Sequence, residues 1–131
     1  MKKQIESVYK FHDTFKLGIN TTPTAHITEQ RIKLRHELMR EENEEYLDAA
    51  MNNDLIEVAD ALGDMLYILC GTIIEHGMQE VIEDVFDEIQ NSNMSKLDAS
   101  GKPIYREDGK VLKSPQYFRP EFSKILSRYT S

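Results

Sequence analysis

The chain has one cysteine, Cys70, so no disulfide framework can hold it together and a reducing compartment is expected. It has no long apolar run. The longest, residues 65–74, falls well short of the ~20 residues that a membrane-spanning helix needs. No apolar segment follows the charged and polar opening MKKQIESVYK, so no cleavable leader is expected and a cytoplasmic location is. Positive charge is scarce: 16 Lys and Arg stand against 23 Asp and Glu, a net charge of −7. That balance argues against a nucleic-acid partner, which favours basic surfaces. Glu-x-x-His is missing as well. None of His12, His26, His36 and His76 follows a Glu by three positions, which excludes the ligand pattern of carboxylate-bridged di-iron bundles.

The 131 residues suit one domain with its own core. Charge is unevenly spread: residues 1–93 carry 8 Lys/Arg against 19 Asp/Glu, and residues 94–131 carry 8 against 4. Such a chain could hold a metal in its acidic body and phosphates on its basic tail; the plainer alternative is a solvated surface. Helical periodicity dominates the first three-quarters. Residues 2–17 read as a first helix, with Ile5, Val8 or Tyr9, His12 and Phe15 along one side and Gly18 ending it. Residues 19–26 read as a loop. Thr28 caps a second helix running to about residue 51. Asp54 caps a third that ends near His76, with Gly77 as the residue just beyond it. A fourth helix is expected over residues 78–94. Then the style changes. Residues 102–106 and 110–113 flank Asp108-Gly109, a hairpin signal. Pro120 opens a short terminal helix reaching about Tyr129. The expected fold is all-α: a four-helix body over about residues 2–96, with a turn-rich or hairpin appendage over about 97–131.

The informative residues are acids in places where apolar side chains belong. A helix advances about 100° per residue. On the second helix the expected core stripe includes Leu38, Met39, Tyr46 and Ala49, and Glu42 and Glu45 fall within about 40° of its members. Glu41 lies at the edge; Glu44 and Asp48 lie further out. On the third helix Glu57, Asp60 and Asp64 share one face of a helix that is apolar almost all round, so the acids should point inward. Carboxylates gathered in this way repel one another, and an unpaired buried charge costs several kcal/mol. A cation resolves the conflict, and oxygen-only ligands suit Mg2+, Mn2+ or Ca2+. The alternative is a solvated face, or pairing with Lys33, Arg35 and Arg40.

Two acidic motifs therefore stand on successive helices: Glu41-Glu42-Asn43-Glu44-Glu45, and Glu57-Val58-Ala59-Asp60 followed by Ala-Leu-Gly-Asp-Met-Leu-Tyr. With Ser92-Asn93-Met94-Ser95-Lys96 and the tail Gly-Lys-Pro-Ile-Tyr-Arg-Glu-Asp-Gly-Lys-Val-Leu-Lys, the chain resembles the all-α nucleoside triphosphate pyrophosphohydrolases over about residues 5–120. That superfamily takes in MazG-like proteins, helical dUTPases, dCTP pyrophosphatases and phosphoribosyl-ATP pyrophosphohydrolases.

The resemblance implies a MazG-like bundle that cleaves a nucleoside triphosphate into the monophosphate and pyrophosphate, for nucleotide-pool cleansing. It implies Mg2+, or Mn2+, held by Glu42, Glu45, Glu57 and Asp60. In several relatives the ligating Asp directly precedes the Leu-Leu-Tyr/Phe segment. Aligned that way, Asp64 takes its place but is partnered by Ala61, which binds no metal. Asp64 thus stays open as an extra ligand or a residue one layer behind. Glu41 is the candidate to orient or deprotonate the attacking water. Asn93 and Lys96, with Lys110 and Lys113, are candidates to hold the phosphates, against a reading of the hairpin lysines as merely solvated. Phe11, His12 and Phe15 could wall the base, against plain packing. By the same resemblance a homodimer or homotetramer is expected. The rival class is a non-catalytic helical binding or assembly protein of the same fold.

Overall fold

Two side-chain caps set the long helices. Thr28 Oγ1 accepts a hydrogen bond from the Arg31 amide at 3.1 Å, and Asp54 Oδ1 accepts one from the Glu57 amide at 3.1 Å. They open α2 (Glu29–Met51) and α3 (Leu55–Glu75) as the sequence predicts. Between them the chain reverses within residues 52–54, using Asn53 in the left-handed region (φ 55°), where asparagine is among the few tolerant side chains. So short a connection makes α2 and α3 antiparallel neighbours. The structure, a computed structural model, describes residues 1–130. Its other elements are α1 (Lys2–Thr14), α4 (Ile82–Met94), the strands β1 (Ile104–Tyr105) and β2 (Val111–Leu112), and α5 (Ser123–Thr130). The fold is all-α and MazG-like, with a small hairpin. Among the described residues no helix is long and apolar enough to cross a membrane.

The chain groups into two compact units, residues 1–80 and residues 81 onward. In the first, α3 packs against both α1 and α2. Ile5 and Val8 of α1 and Cys70, Ile73 and Ile74 of α3 form its apolar core. The α2 stripe is shallower than expected: Ala49 is buried, but Tyr46 is 38% exposed. Nor is α3 enclosed all round. Flanked on two sides only, it leaves Leu55, Leu62, Leu66 and Leu69 exposed.

The buried polar residues of the first unit gather where α2 begins and α3 ends. Glu75, 1% exposed, takes both nitrogens of the Arg31 fork at 2.8 and 2.6 Å and Arg35 Nη1 at 3.1 Å. Arg35 also donates to Thr72 Oγ1 and to the Ile68 carbonyl. His12 Nδ1 lies 2.8 Å from the Gly18 carbonyl. The chain then runs as a strap over the last turn of α3. The Asn20 amide donates to the Ile74 carbonyl and its side chain to the Glu75 carbonyl. The Thr24 amide donates to the His76 carbonyl, while His76 Nδ1 meets the Thr24 carbonyl at 2.8 Å. Gly77 ends α3 as expected, at φ 68°. A side chain there would also strike the strap, since a Cβ would sit 2.2 Å from the Thr22 carbonyl oxygen.

Three expected boundaries move. Helix α1 stops at Thr14, three residues early, because Lys16 (φ 59°) makes the left-handed turn assigned to Gly18. Gly18 is instead needed for close approach: a Cβ on it would lie 2.6 Å from Glu75 Oε1. Helix α4 begins at Ile82 rather than residue 78, and α5 at Ser123 rather than Pro120.

In the second unit the chain after α4 folds back onto it. Ser92 Oγ donates to the Phe118 carbonyl, the Phe118 amide to Ser95 Oγ, and Ser114 Oγ to the Leu97 carbonyl. The hairpin pairs Ile104 with Leu112 and Tyr105 with Val111, turning through Gly109 at φ 88°. Helix α4, expected in the N-terminal body, thus groups with the basic C-terminal segment.

Candidate functional site

The antiparallel pairing of α2 and α3 sets the acids of one against those of the other. Glu42, Glu45 and Asp64 each offer a carboxylate oxygen, and the three oxygens lie within 4.8 Å of one another. Glu57 and Asp60 stand outside that trio. With Glu45, Asp48 and Asp54 they line an open cleft of about 470 Å3. Glu45 belongs both to the trio and to the lining of this cleft, so the acids stand at an open, water-accessible edge of the α2–α3 pair and not inside a closed core. Asp48 and Asp54, which the helical wheel left as a solvated residue and a cap, are part of the lining. Their signal was their position beside the α2–α3 turn, which the wheel does not register.

The charges are not neutralised from within. Lys33 pairs with Glu29 at 2.8 Å, Arg35 with Glu75 at 3.1 Å, and Arg40 with Glu37, so each basic partner considered for the acids is engaged elsewhere. Burial, then the Glu45 carboxylate beside it, then the charges of Asp64 and Asp60 push the Glu42 carboxyl from 4.5 up to about 7. Burial and the charges of Asp60 and Glu45 raise Asp64 as well. Glu42 Oε2 is buried and has no hydrogen-bond partner among the described residues. A buried lone pair without a donor, among oxygen-only donors, fits a hard divalent cation.

The remaining candidates fall in three places. Glu41 is exposed, one residue from the trio. Phe11 and Phe15 are 37% and 62% exposed, their ring centroids 4.5 Å apart, and Phe11 meets the Tyr67 ring edge-on at 5.6 Å. His12 is 2% exposed, lies behind that surface with its ring edge-on to Phe11 at 6.4 Å, and meets the Gly18 carbonyl through Nδ1. Asn93, Lys96, Lys110 and Lys113 lie in the second unit. Asn93 is exposed at the end of α4, where its carbonyl accepts from the Lys96 amide. Lys110 is exposed on the hairpin, and Lys113 Nζ sits 4.8 Å over the Tyr117 ring.

Sequence reasoning passed over Arg31, Glu75 and Tyr67, and weighed Arg35 only as a partner for the site acids. Glu75 did carry a signal. It is the lone acid at the end of the most apolar helix, eleven residues beyond Asp64 and so on the same face.

An uncharacterized protein, L479, of Acanthamoeba polyphaga mimivirus is 39% identical over 69 residues, covering 50% of this chain. The chain spans only 28% of that protein's length. A sequence model of the phosphoribosyl-ATP pyrophosphohydrolase family matches residues 8–93, which run from the middle of α1 through the carboxylate trio to the end of α4. With well over half of its length inside that match, the chain belongs to the phosphoribosyl-ATP pyrophosphohydrolase family, within the MazG-like all-α nucleotide pyrophosphohydrolases.

Proposed function

We propose that the chain is a Mg2+-dependent pyrophosphohydrolase that splits a (deoxy)nucleoside triphosphate into the monophosphate and pyrophosphate. The observation that carries the reading is the unneutralised trio Glu42, Glu45 and Asp64 around a buried, unpartnered carboxylate oxygen. These three residues would hold the cation, with Asp60 adding to the field and Glu57 standing at the cleft. A divalent cation bound there supplies charge neutralisation for the phosphate chain and Lewis acidity at the α-phosphoryl group. The chain's own part is to fix the phosphates and manage a proton. Glu41, exposed beside the trio, orients the attacking water and accepts its proton. In the second unit Asn93, Lys96, Lys110 and Lys113 are the proposed phosphate contacts. A second copy of the chain is the proposed partner, as homodimer or homotetramer. The exposed leucines of α3 support an assembly, because contiguous apolar surface of that kind is rarely left to water.

The test is pyrophosphate release from a panel of ribo- and deoxynucleoside triphosphates, in Mg2+ and then in EDTA, with Glu42→Gln alongside. Metal-dependent release that the variant lacks supports the reading. No release at high enzyme concentration, with either Mg2+ or Mn2+, sinks it. Phosphoribosyl-ATP belongs in the panel as the second reading, favoured by the matching family's own description.

A further inference from the structure

Seven residues separate Arg35 from Glu42 on α2, and seven separate Gly71 from Asp64 on α3. Each interval is two turns, about 10.5 Å along a helix axis. The helices run antiparallel, so whatever sets Arg35 against Gly71 also sets Glu42 against Asp64. Arg35 does lie against Gly71: a Cβ added to that glycine would sit 2.6 Å from Arg35 Nη2. The same Cβ would sit 2.7 Å from His12 Nε2, so α1 keys onto the same spot. Gly71 is thus a notch in α3 into which side chains from both neighbouring helices reach.

The notch lets one guanidinium hold α3 in a single axial position. Arg35, 6% exposed, donates from Nη2 to the Ile68 carbonyl at 2.8 Å and from Nε to Thr72 Oγ1 at 3.1 Å, and its Nη1 meets Glu75 Oε2 at 3.1 Å. The three acceptors are spread over two turns of one face of α3. A rigid planar fork meets all of them in one register. If α3 slid by a turn, Arg35 would meet backbone covered by the side chain of Tyr67 or of Glu75. Its buried charge would then lose acceptors that water cannot replace.

The same slide would change the site. Glu42 would face Asp60 or Ile68 in place of Asp64. The face shared by Asp60 and Asp64 does not distinguish them, but an axial lock two turns away does.

We propose that Arg35, seated in the Gly71 notch, is a positioning residue that fixes the α2–α3 register and so selects Asp64 over Asp60 as the third carboxylate of the trio; the proposal rests on the metal reading above. Arg35 touches neither the cation nor the substrate. It acts through where Asp64 stands, and misplacement by about 1 Å at such a distance can cost a hundredfold in rate.

The test asks which aspartate the site depends on. Arg35→Lys keeps a positive charge beside Glu75 but cannot span Ile68, Thr72 and Glu75 at once. Gly71→Ala leaves Arg35 in place and fills the notch with a methyl group. Ile74→Ala, in the apolar core, loses stability without touching the notch and serves as the control. Each is combined in the full chain with Asp64→Asn and, separately, with Asp60→Asn. Mg2+ is titrated calorimetrically without nucleotide, at a temperature where circular dichroism shows every variant folded.

In the wild type and in Ile74→Ala, Asp64→Asn should weaken Mg2+ binding roughly tenfold more than Asp60→Asn does. In Arg35→Lys and in Gly71→Ala the two should cost the same within about threefold, a coupling that independent sites so far apart would not show. A metal-free reading runs beside it. In EDTA at pH 8, Asp64→Asn should raise Tm by a few degrees in the wild type and in Ile74→Ala, by relieving the crowded acids. In the notch variants it should give less than half of that gain. A preference for Asp64 that persists in Arg35→Lys or in Gly71→Ala overturns the proposal. So does a wild type that prefers Asp60, or an Ile74→Ala control that loses the preference as well. If one notch variant fails to fold, the other decides. If the wild type binds neither Mg2+ nor Mn2+, the metal reading has failed, and the melting series in EDTA still decides the register.

Discussion

Removing a negative charge from the carboxylate trio should stabilise the metal-free protein. Burial and then three neighbouring acids raise the Glu42 carboxyl from 4.5 to about 7. An acid raised in the folded state binds its proton more tightly there than in the unfolded chain. Its contribution is therefore a cost that is absent below about pH 4.5, grows as pH rises, and is complete above about pH 7. At ~1.4 kcal/mol per pH unit the rise corresponds to at most about 3 kcal/mol. Glu42 is only partly buried, so screening cuts this to roughly 1–2 kcal/mol. Glu42→Gln keeps the shape and removes the charge. In EDTA at pH 8 its Tm should exceed the wild-type value by roughly 3–10 °C, and at pH 4 the two should melt together. Mg2+ reverses the order. At a hundredfold excess over its Kd, a cation stabilises the protein that binds it by about 2.7 kcal/mol, and the variant short of one ligand forgoes most of that. Differential scanning calorimetry at two pH values, with and without Mg2+, reads all four states. A variant less stable than the wild type in EDTA at pH 8, or a gain that persists at pH 4, would refute the crowding argument.

Other substitutions separate the parts. Asp64→Asn should abolish stabilisation by Mg2+ and cut kcat by at least a hundredfold, while Glu57→Gln, outside the trio, should cost tenfold or less; steady-state pyrophosphate release compares them. Mg2+ affinity should climb as pH rises through about 7 and then level off, because Glu42 must lose its proton to serve as a ligand; titration calorimetry from pH 5.5 to 8.5 shows it. Glu75→Gln leaves the two guanidiniums of Arg31 and Arg35 without their counter-charge and should cost about 3–5 kcal/mol in urea unfolding, with no pH or Mg2+ reversal. Gly77→Ala combines a left-handed backbone with a clash against the Thr22 carbonyl, and should lower stability by several kcal/mol in the same assay.

The helices were legible where local chemistry decides them. Thr28, Asp54, Gly77 and Asp108-Gly109 all act within a few residues of themselves, and each does what its side chain or backbone predicts. Boundaries failed where a distant contact overrides the local signal. Gly18 reads as a helix stop, yet its missing side chain makes room for Glu75, 57 residues away. At the site, the periodicity that singled out Glu42 and Glu45 also placed Glu57, Asp60 and Asp64 on one face, but it could not choose among them. Asp64 sits with the trio because α2 and α3 run antiparallel in one particular register, and that register follows from the turn at residues 52–54 together with the Arg31–Glu75 pairing at the far end. Neither is written in the spacing of acids along a single helix.

The strap over α3 also fixes an order of events. Asn20 bonds to Glu75 and accepts from Gln79, 55 and 59 positions further along the chain, whereas α2 and α3 meet across a three-residue reversal. Closing a loop costs more as it lengthens, and the groups that receive Asn20 exist only once the last turn of α3 has formed. The α2–α3 hairpin therefore assembles first, and the strap can seat only afterwards, bringing α1 with it. During synthesis this inverts the direction of the chain. Of these three helices the earliest made is the last to be placed, and it waits for some sixty residues of further translation with Ile5 and Val8 uncovered.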